Sequence, residues 1–275
     1  MRPTERPVIG FLTDFGLDGA AATCRGVMLS ICRDAQIVDI CHTIRKYAIA
    51  DGAFVLAAAL PYLPVGNHVA VVDPGVGTSR RPIGIRTGRG DVLIGPDNGL
   101  LIPAAEALGG IVEARELENV ELWLPEVSAT FHGRDIFAPV AARLAQGDTT
   151  FPDVGPSLTP DSLMRLDRPR AEVATDRLLT EIVYVDSFGN LRLAAARDQL
   201  EGAFADLGPG ASLAVRISEA SALRVTFADS FGLVDVGATL LYVDSSGNLA
   251  LAENQGSLAR RIGSPAGESV VIERP

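Results

Sequence analysis

The 275-residue sequence predicts an α/β protein with a mainly parallel α/β sandwich domain at the N-terminus and a smaller, antiparallel β domain at the C-terminus. Three observations support this prediction. In the first half, unbroken apolar segments alternate with segments of helical periodicity, which is typical of strands that are buried on both faces. A stretch rich in Pro, Asp, Ser and Thr follows. The remaining residues form short apolar segments that are separated by turn residues.

The N-terminal domain is predicted to cover residues 1–168 and to alternate strands with helices. A strand in RPVIGFLTDF precedes a helix in GAAATCRGVMLSIC, and a strand in AQIVDIC precedes a helix in IADGAFVLAAALPYL, which a proline ends. The next predicted elements are strands in HVAVVDPG and DVLIGPDNG and helices in LLIPAAEALGG and IFAPVAARLAQG. Gly147 caps the C-terminus of the last helix.

Residues 169–178 are the predicted linker, and residues 179–275 are the predicted C-terminal domain. Its strands are expected in LLTEIVYVDSFGNLRLA, ASLAVRI, LRVTFADSF, ATLLYVDSSGNLALA and ESVVIE, a pattern that indicates a small antiparallel sheet or barrel. Two segments, YVDSFGNLRLA and YVDSSGNLALA, nearly match. They are either a structural repeat or two hairpins with similar turns.

The composition favours a soluble globular protein whose main partner is not a nucleic acid. Hydrophobic residues make up 47% of the chain, and the net charge of −10 disfavours contact with phosphate backbones. The N-terminus lacks the apolar core of a signal peptide, and no apolar segment is long enough to span a bilayer, so we expect a cytoplasmic protein. The three cysteines share no CxxC spacing, which predicts free thiols rather than a disulfide frame or a zinc site.

Four polar clusters fall at the ends of predicted strands, where parallel α/β sheets bind their ligands. They are TDFG with Asp14, DPGVGTSRR with Asp73, GPDNG with Asp97 and Asn98, and FHGRD with His132. A helix cap or a turn explains one such acid. Four clusters in one domain favour a binding or catalytic site.

The segment DPGVGTSRR and the histidine of FHGRD carry the candidate chemistry. A phosphate-binding loop is disfavoured because the segment lacks both GxxxxGK[ST] and the third glycine of GxGxxG. Its glycines permit a sharp turn that returns Arg80 toward Asp73, whereas Arg81 is expected to be only a surface or interface charge. Together with His132, these two side chains can orient water and stabilise developing charge without a metal. The HxH, HExxH and GxSxG patterns are absent, so neither a metal site nor a serine-triad hydrolase is indicated.

Seven motifs follow one another along the chain: FLTDFG, CRGVM, VVDPGVGTSRR, GPDNGLL, FHGRDIFAPVAARLA, VDSFGN and YVDSSGNLALAENQGS. In this order they resemble the S-adenosyl-L-methionine hydroxide adenosyltransferase family, a relative of fluorinating and chlorinating enzymes. The resemblance implies an α/β N-terminal domain, a β-barrel-like C-terminal domain, and homotrimers with sites at subunit interfaces. It also implies that water or hydroxide attacks C5′ of S-adenosyl-L-methionine, the substrate, and yields adenosine and L-methionine without a metal or cofactor.

The resemblance also assigns roles to individual residues. Asp73, Arg80 and His132 match the set that holds the attacking water, and Asp14 matches the aspartate that binds both ribose hydroxyls. The other matched contacts are Tyr47 over the substrate, Phe188, Asn190 and Phe227 around the adenine, and Asp18, Asp186 and Ser245 near the methionine end. A core-filling role for Phe227 is the alternative to stacking on the base.

Some points stay open at this level. By the same resemblance, Ala20 stands where a polar residue can contact methionine, and Ser246 replaces an arginine that contacts the methionine carboxylate in halogenating relatives. Arg45 or Arg192 can substitute for this missing cation. The sequence does not decide which group accepts the proton of water. Halide-dependent 5′-halogenation is one alternative function, disfavoured because a carboxylate at position 73 repels a halide. Non-catalytic binding of adenosine or S-adenosylmethionine is the other, disfavoured because binding alone needs no water-activating groups.

Overall fold

A computed structural model describes residues 6–167, 169–218, 222–263 and 266–275. The chain divides into two compact units, of which the first ends at Leu166 and the second begins at Asp167. The predicted last residue of the N-terminal domain, residue 168, lies outside the described residues, so the predicted domain limits stay predictions. No helix among the described residues is long and apolar enough to cross a membrane.

The first unit is built on a seven-stranded sheet with the order β2-β1-β3-β5-β4-β6-β7. Neighbouring strands among β2, β1, β3 and β5 pair in parallel, whereas β4, β6 and β7 join in antiparallel orientation. The strands are β1 (Val8–Thr13), β2 (Gln36–Cys41), β3 (Asn67–Val71), β4 (Pro82–Thr87), β5 (Val92–Pro96), β6 (Ile111–Glu116) and β7 (Ser157–Leu158). The predicted α/β class is confirmed, and the antiparallel strands β4 and β6 are additions that the sequence pattern did not indicate.

Helices cover both faces of this sheet, as continuous apolar strands require. Helices α1 (Ala20–Ile31) and α4 (Ala138–Gln146) pack on the face that includes Val69 and Val71. Helices α2 (Ile49–Ala59) and α3 (Ile102–Ala107) pack on the opposite face, which includes Ala70 and Val72. Successive residues of β3 therefore supply two separate cores, because side chains alternate across a strand.

The parallel strands bring three of the four predicted polar clusters to one edge of the sheet. The prediction that the fourth, FHGRD, ends a strand is wrong, because His132 instead precedes the helical turn Gly133–Phe137. The backbone N–H of Asp14, after β1, donates to the carbonyl of Val71 at 3.3 Å. After β5, the side-chain amide of Asn98 donates to the carbonyl of Val72 at 2.8 Å. The segments that follow β1, β3 and β5 are thus tied to one another, and Asp73 stands in the middle one.

The second unit is a seven-stranded barrel that closes through pairing of β9 with β10. One pair, β12–β13, is parallel, and the other pairs are antiparallel. The strands are β9 (Arg177–Val185), β10 (Leu191–Ala196), β11 (Ser212–Ile217), β12 (Leu223–Phe227), β13 (Thr239–Val243), β14 (Asn248–Glu253) and β15 (Ser269–Glu273), with β8 (Ala171–Ala174) added beside β9. The short helices are α5 (Arg197–Ala203) and α6 (Leu258–Ile262). Strand β8 lies in the segment predicted as a linker.

The three cysteines are free thiols in the structure. Cys24 and Cys32 are buried, and Cys41 is half-buried. Burial raises the pKa of the Cys24 thiol to about 12, so this side chain acts as a packing group in the core and not as a nucleophile.

Candidate functional site

Asp73, Arg80 and His132 meet in one hydrogen-bonded cluster at the edge of the first sheet. Arg80 donates from Nε to Oδ1 of Asp73 at 3.2 Å and from Nη2 to Oδ2 at 2.5 Å. The same Nη2 lies 3.1 Å from Nδ1 of His132. The Asp73 and Arg80 side chains are only 4% and 7% exposed, so this ion pair is screened from bulk water.

The turn after β3 explains why Arg80 returns to Asp73. The N–H of Val76 donates to the carbonyl of Asp73 at 3.3 Å, and the N–H of Thr78 donates to that of Gly75 at 3.2 Å. Gly77 has a φ of 75°, and a Cβ at this position would lie 2.3 Å from the carbonyl oxygen of Ala129. Gly77 is therefore required both for its backbone conformation and for the close approach of another loop.

A π-helical turn, Gly133–Phe137, follows His132 and continues into α4. Gly133 packs tightly, because a Cβ there would lie 2.9 Å from Cζ of Phe15. The adjacent Arg134 and Asp135 pair with each other, and Asp135 also accepts from the N–H of Ser128 at 2.8 Å. Arg134 and Asp135 therefore brace the segment that presents His132.

Hydrogen bonding and charge together define the protonation state of His132. Burial lowers the pKa of His132, the Arg80 guanidinium lowers it further, and the carboxylates of Asp73 and Asp135 oppose both effects. A guanidinium can only donate, so Nδ1 of His132 must accept from Arg80. The neutral imidazole then carries its proton on Nε2. This leaves His132 as a hydrogen-bond donor toward any water or hydroxide at Nε2.

The remaining face of the Arg80 guanidinium is held by packing. Its Cζ lies 5.4 Å from the ring centroid of Phe137, a cation–π distance. Nη1 is buried and has no hydrogen-bond acceptor among the described residues. Contacts with Asp73, His132 and Phe137 thus fix the position of the Arg80 guanidinium between the carboxylate and the imidazole.

Asp14 is the centre of a second group of contacts at the same edge of the sheet. Its Oδ2 accepts from the backbone N–H of Tyr47 at 2.9 Å, and its carbonyl accepts from Nζ of Lys46 at 2.7 Å. Tyr47 has a φ of 66°, and its side chain points outward with the residue 70% exposed. Asp18 follows in an exposed turn. The structure therefore brings Asp14 and Tyr47 together, and it adds Lys46, which sequence reasoning missed.

A hydrogen-bonded relay that runs from buried Thr13 to exposed Asp39 supports the turn that carries Asp14. Thr13 Oγ1 lies 2.9 Å from Nδ1 of His42, and Nε2 of His42 lies 3.0 Å from Asp39. The N–H of Phe15 donates to Thr13 Oγ1 at 3.2 Å, and the N–H of Gly16 donates to the carbonyl of His42 at 2.7 Å. Sequence reasoning missed this relay. The one available signal was that CHT follows β2, which pairs with β1.

The third histidine belongs to a different part of the sheet. His68, 1% exposed, accepts from the N–H of Gly10 at Nδ1 and contacts Asp91 from Nε2 at 3.0 Å. Both ring nitrogens are thus engaged within the fold near the start of β3. His132 is the histidine that contacts the Asp73–Arg80 pair.

The cluster that contains Asp97 has a structural role. Arg81 donates to Asp97 from Nε at 3.0 Å and to the carbonyl of Ser162 from Nη2 at 2.6 Å. Asp97 also accepts from the N–H of Met164 at 2.9 Å. The expectation that Arg81 is only a surface or interface charge is therefore wrong, because Arg81 and Asp97 together hold the 162–164 segment at the end of β5.

In the second unit, the two near-identical segments form matching hairpins whose turn aspartates accept backbone N–H groups. Asp186 accepts from Phe188 and Asn190, and Asp244 accepts from residues 246 and 248. Arg192 joins the two turns, with Nη1 2.7 Å from Asp244 and Nη2 3.4 Å from Asp186. Both turn carboxylates therefore stabilise the hairpin turns of the barrel.

The predicted contacts of this unit differ in accessibility. Phe188 is 76% exposed, so its ring is available to a ligand. Asn190 is buried and donates from its side chain to Asp186 at 2.9 Å. Phe227 is 7% exposed and packs in the barrel core, the placement that the alternative reading of this residue expects. Ser245 is exposed in its turn.

An α/β unit with a polar cluster at its strand ends, followed in one chain by a closed barrel, defines a two-domain protein with enzyme-like chemistry. Residues 9–155 match the family model described as the SAM hydroxide adenosyltransferase N-terminal domain, and residues 180–271 match the corresponding C-terminal domain. The chain therefore belongs to the SAM hydroxide adenosyltransferase family.

Three similar proteins align with almost the whole chain. A (R)-S-adenosyl-L-methionine hydrolase of Salinispora tropica is 45% identical over 273 residues, 99% of each chain. A fluorinase of Nocardia brasiliensis is 32% identical over 303 residues, 98% of this chain and 97% of its own. The crystal structure of an uncharacterized conserved protein from Thermotoga maritima has a TM-score of 0.89 and 35% identity, and the match covers 97% of this chain and 100% of that chain.

Proposed function

We propose that this protein hydrolyses S-adenosyl-L-methionine to adenosine and L-methionine, and that it prefers the (R) form named for its relatives. The observation that carries the proposal is the hydrogen-bonded cluster of Asp73, Arg80 and His132, in which the carboxylate and the guanidinium are buried and the imidazole is half-buried. The relatives at 45% and 36% identity, from Salinispora tropica and Thermus thermophilus, are both named (R)-S-adenosyl-L-methionine hydrolase. Binding alone requires no such set of groups.

The proposed reaction is a displacement at C5′. The water oxygen forms a new bond to C5′ while the C5′–S bond breaks. The electron pair of the C5′–S bond stays on sulfur, and neutral methionine leaves. Because the sulfonium is already positively charged, the leaving group needs no acid. The protein must align the water opposite sulfur and take one proton from it.

The geometry favours Asp73 as the proton acceptor. The neutral His132 accepts from Arg80 at Nδ1 and holds its own proton at Nε2, so it can donate to the water oxygen but cannot take a proton without losing a contact. The oxygens of Asp73 accept from Arg80 and keep further lone pairs. We therefore assign orientation of the water to His132, proton acceptance to Asp73, and alignment of both groups to Arg80.

The proposal includes substrate contacts. Asp14 would bind the ribose diol, since a carboxylate has two acceptor oxygens for two hydroxyls. Phe188 would stack on adenine through its exposed ring, and Tyr47 would cover the substrate. The other proposed contacts are Asn190 and Phe227 for the adenine, and Asp18, Asp186 and Ser245 for the methionine end.

The assembly and its surroundings also belong to the proposal. We expect a homotrimer with sites at subunit interfaces, acting in the cytoplasm with no metal or other cofactor. Among the described residues, no group of three or more His, Cys, Asp or Glu side chains is arranged to hold a metal ion.

A product analysis tests the proposed function. Purified protein is incubated with each sulfonium epimer of S-adenosyl-L-methionine, with and without added chloride or fluoride, and the products are separated by liquid chromatography and mass spectrometry. We expect adenosine and methionine regardless of halide, and loss of both in Asp73→Asn and His132→Ala. A 5′-halogenated adenosine would instead establish halide chemistry. Calorimetric binding without turnover would make the protein a binding module.

A further inference from the structure

Lys46 is an unusual residue in this chain. The sequence has 24 lysines and arginines, and Lys46 is the only lysine among them. It lies between Arg45 and Tyr47 in the segment that contacts Asp14. The position of this one ammonium group therefore requires an explanation beyond general surface charge.

The ammonium of Lys46 is held beside the predicted ligand-binding acids. Its Nζ donates to the carbonyl of Asp14 at 2.7 Å. A Cβ placed on Gly16 would lie 3.6 Å from Nζ of Lys46 and 3.8 Å from Oδ1 of Asp18. The ammonium and the Asp18 carboxylate thus both lie within 4 Å of one point beside Gly16, so one positive and one negative group stand close together near Asp14.

The arginines that could serve the same purpose already have acidic partners. Arg45 makes a two-pronged contact with Asp51 at 2.6 and 2.8 Å. Arg80 pairs with Asp73 in the first unit, and in the second unit Arg192 contacts both turn aspartates. Both arginines that the sequence offers in place of the missing cation, Arg45 and Arg192, thus already contact carboxylates of this chain.

Lys46 differs from these arginines in its hydrogen bonding. Within the part of the chain that the structure describes, its partner is a neutral carbonyl and no carboxylate pairs with it. An ammonium has three N–H donors, so two stay available for an anionic ligand. The contact with Asp14 also fixes the flexible lysine stem and lowers the entropic cost of using it.

We infer that Lys46 receives the carboxylate of the amino-acid arm of the substrate, while Asp18 faces the ammonium of the same arm. This inference rests on the proposed function. The arm carries an ammonium and a carboxylate on one carbon atom, and a positive and a negative group that stand close together beside Gly16 match that arrangement. Lys46 is then a specificity-determining residue, and its link to Asp14 couples binding of the arm to binding of the ribose.

A substrate that lacks only the carboxylate tests the inference. Dissociation constants and kcat/KM are measured for S-adenosylmethionine and for its decarboxylated form, using wild type, Lys46→Met, Lys46→Arg and the control Arg197→Met, which removes an exposed charge on α5. Lys46→Met should weaken binding of the carboxylated substrate by about 10- to 100-fold, the range of a charge-assisted hydrogen bond. Its binding of the decarboxylated substrate should change less than about threefold. Lys46→Arg and Arg197→Met should resemble wild type.

Two outcomes would overturn the inference. If Lys46→Met weakens binding of both substrates equally, the lysine only supports Asp14. If the dissociation constants of both substrates are unchanged, Lys46 has no role in binding. If the wild type binds S-adenosylmethionine but does not convert it, the proposed function fails while the dissociation constants still test Lys46. Acetylation offers a second test, because Lys46 is the one side-chain amine. It should weaken binding in wild type and leave Lys46→Arg unaffected.

Discussion

Replacement of Arg80 by methionine is the sharpest test of how the cluster is held together. The substitution keeps an unbranched side chain against Phe137 but removes the guanidinium. It deletes two hydrogen bonds to Asp73 and one to His132. The carboxylate of Asp73 is only 4% exposed, so it stays buried without its counter-charge.

The expected loss of stability follows from that burial. Breaking a buried ion pair by removing one partner costs about 3–5 kcal/mol, whereas an exposed pair is worth roughly 0–1 kcal/mol. For a unit of this size, each kcal/mol lowers Tm by about 2–4 °C, so Tm should fall by about 6–20 °C. The double variant Asp73→Asn with Arg80→Met removes the stranded charge and should recover at least half of the loss.

Tryptophan fluorescence is the suitable assay. The chain has a single tryptophan, Trp123, and it lies in the first unit, so its emission reports on the unit that contains the cluster. Thermal melts at neutral pH compare wild type, the single variant and the double variant. A loss below about 1 kcal/mol in Arg80→Met, or additive losses in the double variant, would refute the view that the pair is buried and coupled.

Three further predictions concern the same edge of the sheet. Activity should fall at acid pH with an apparent pKa below about 6.5, because burial and the Arg80 guanidinium lower the pKa of His132 and keep the imidazole neutral at lower pH. A pH profile of kcat/KM whose acid limb has an apparent pKa above about 6.5 would contradict this prediction. Gly133→Ala should destabilise the first unit by about 1–3 kcal/mol and raise KM, because the new methyl would lie 2.9 Å from Phe15 beside Asp14; an unchanged melt and an unchanged KM would show that the ring moves freely. Thr13→Val should cost about 1–3 kcal/mol by leaving His42 and the N–H of Phe15 without their partner, and urea titration that shows no loss would exclude the relay as a support.

The strand-end cluster could be predicted because short-range signals place its members. An apolar run before Asp73 predicts a buried strand, and the glycines after it predict a turn tight enough to return Arg80. The proton arrangement in His132 could not be predicted, since it depends on a contact that joins residues 52 positions apart.

The missed features are those that depend on pairing between distant segments. Lys46 and His42 reach the turn at Asp14 because β2 pairs in parallel with β1, and nothing local in CHTIRKY indicates that contact. Strand β4 (PIGIRT) begins with a proline and contains a glycine and an arginine, and β6 (IVEARE) contains three charged residues. Neither strand therefore has a continuous apolar run that would have predicted it. The closure of the barrel between β9 and β10 depends on register, which the hairpin turns alone do not determine.

Isotope labelling tests the proposed hydrolysis most directly. The protein is supplied with S-adenosyl-L-methionine in water enriched in oxygen-18, and the products are analysed by mass spectrometry. Attack of water at C5′ predicts adenosine that carries the heavy oxygen at its 5′ position, together with unlabelled methionine. Methylthioadenosine with labelled homoserine would place the attack on the amino-acid arm and contradict the proposal, and so would the absence of adenosine from a folded, substrate-binding protein.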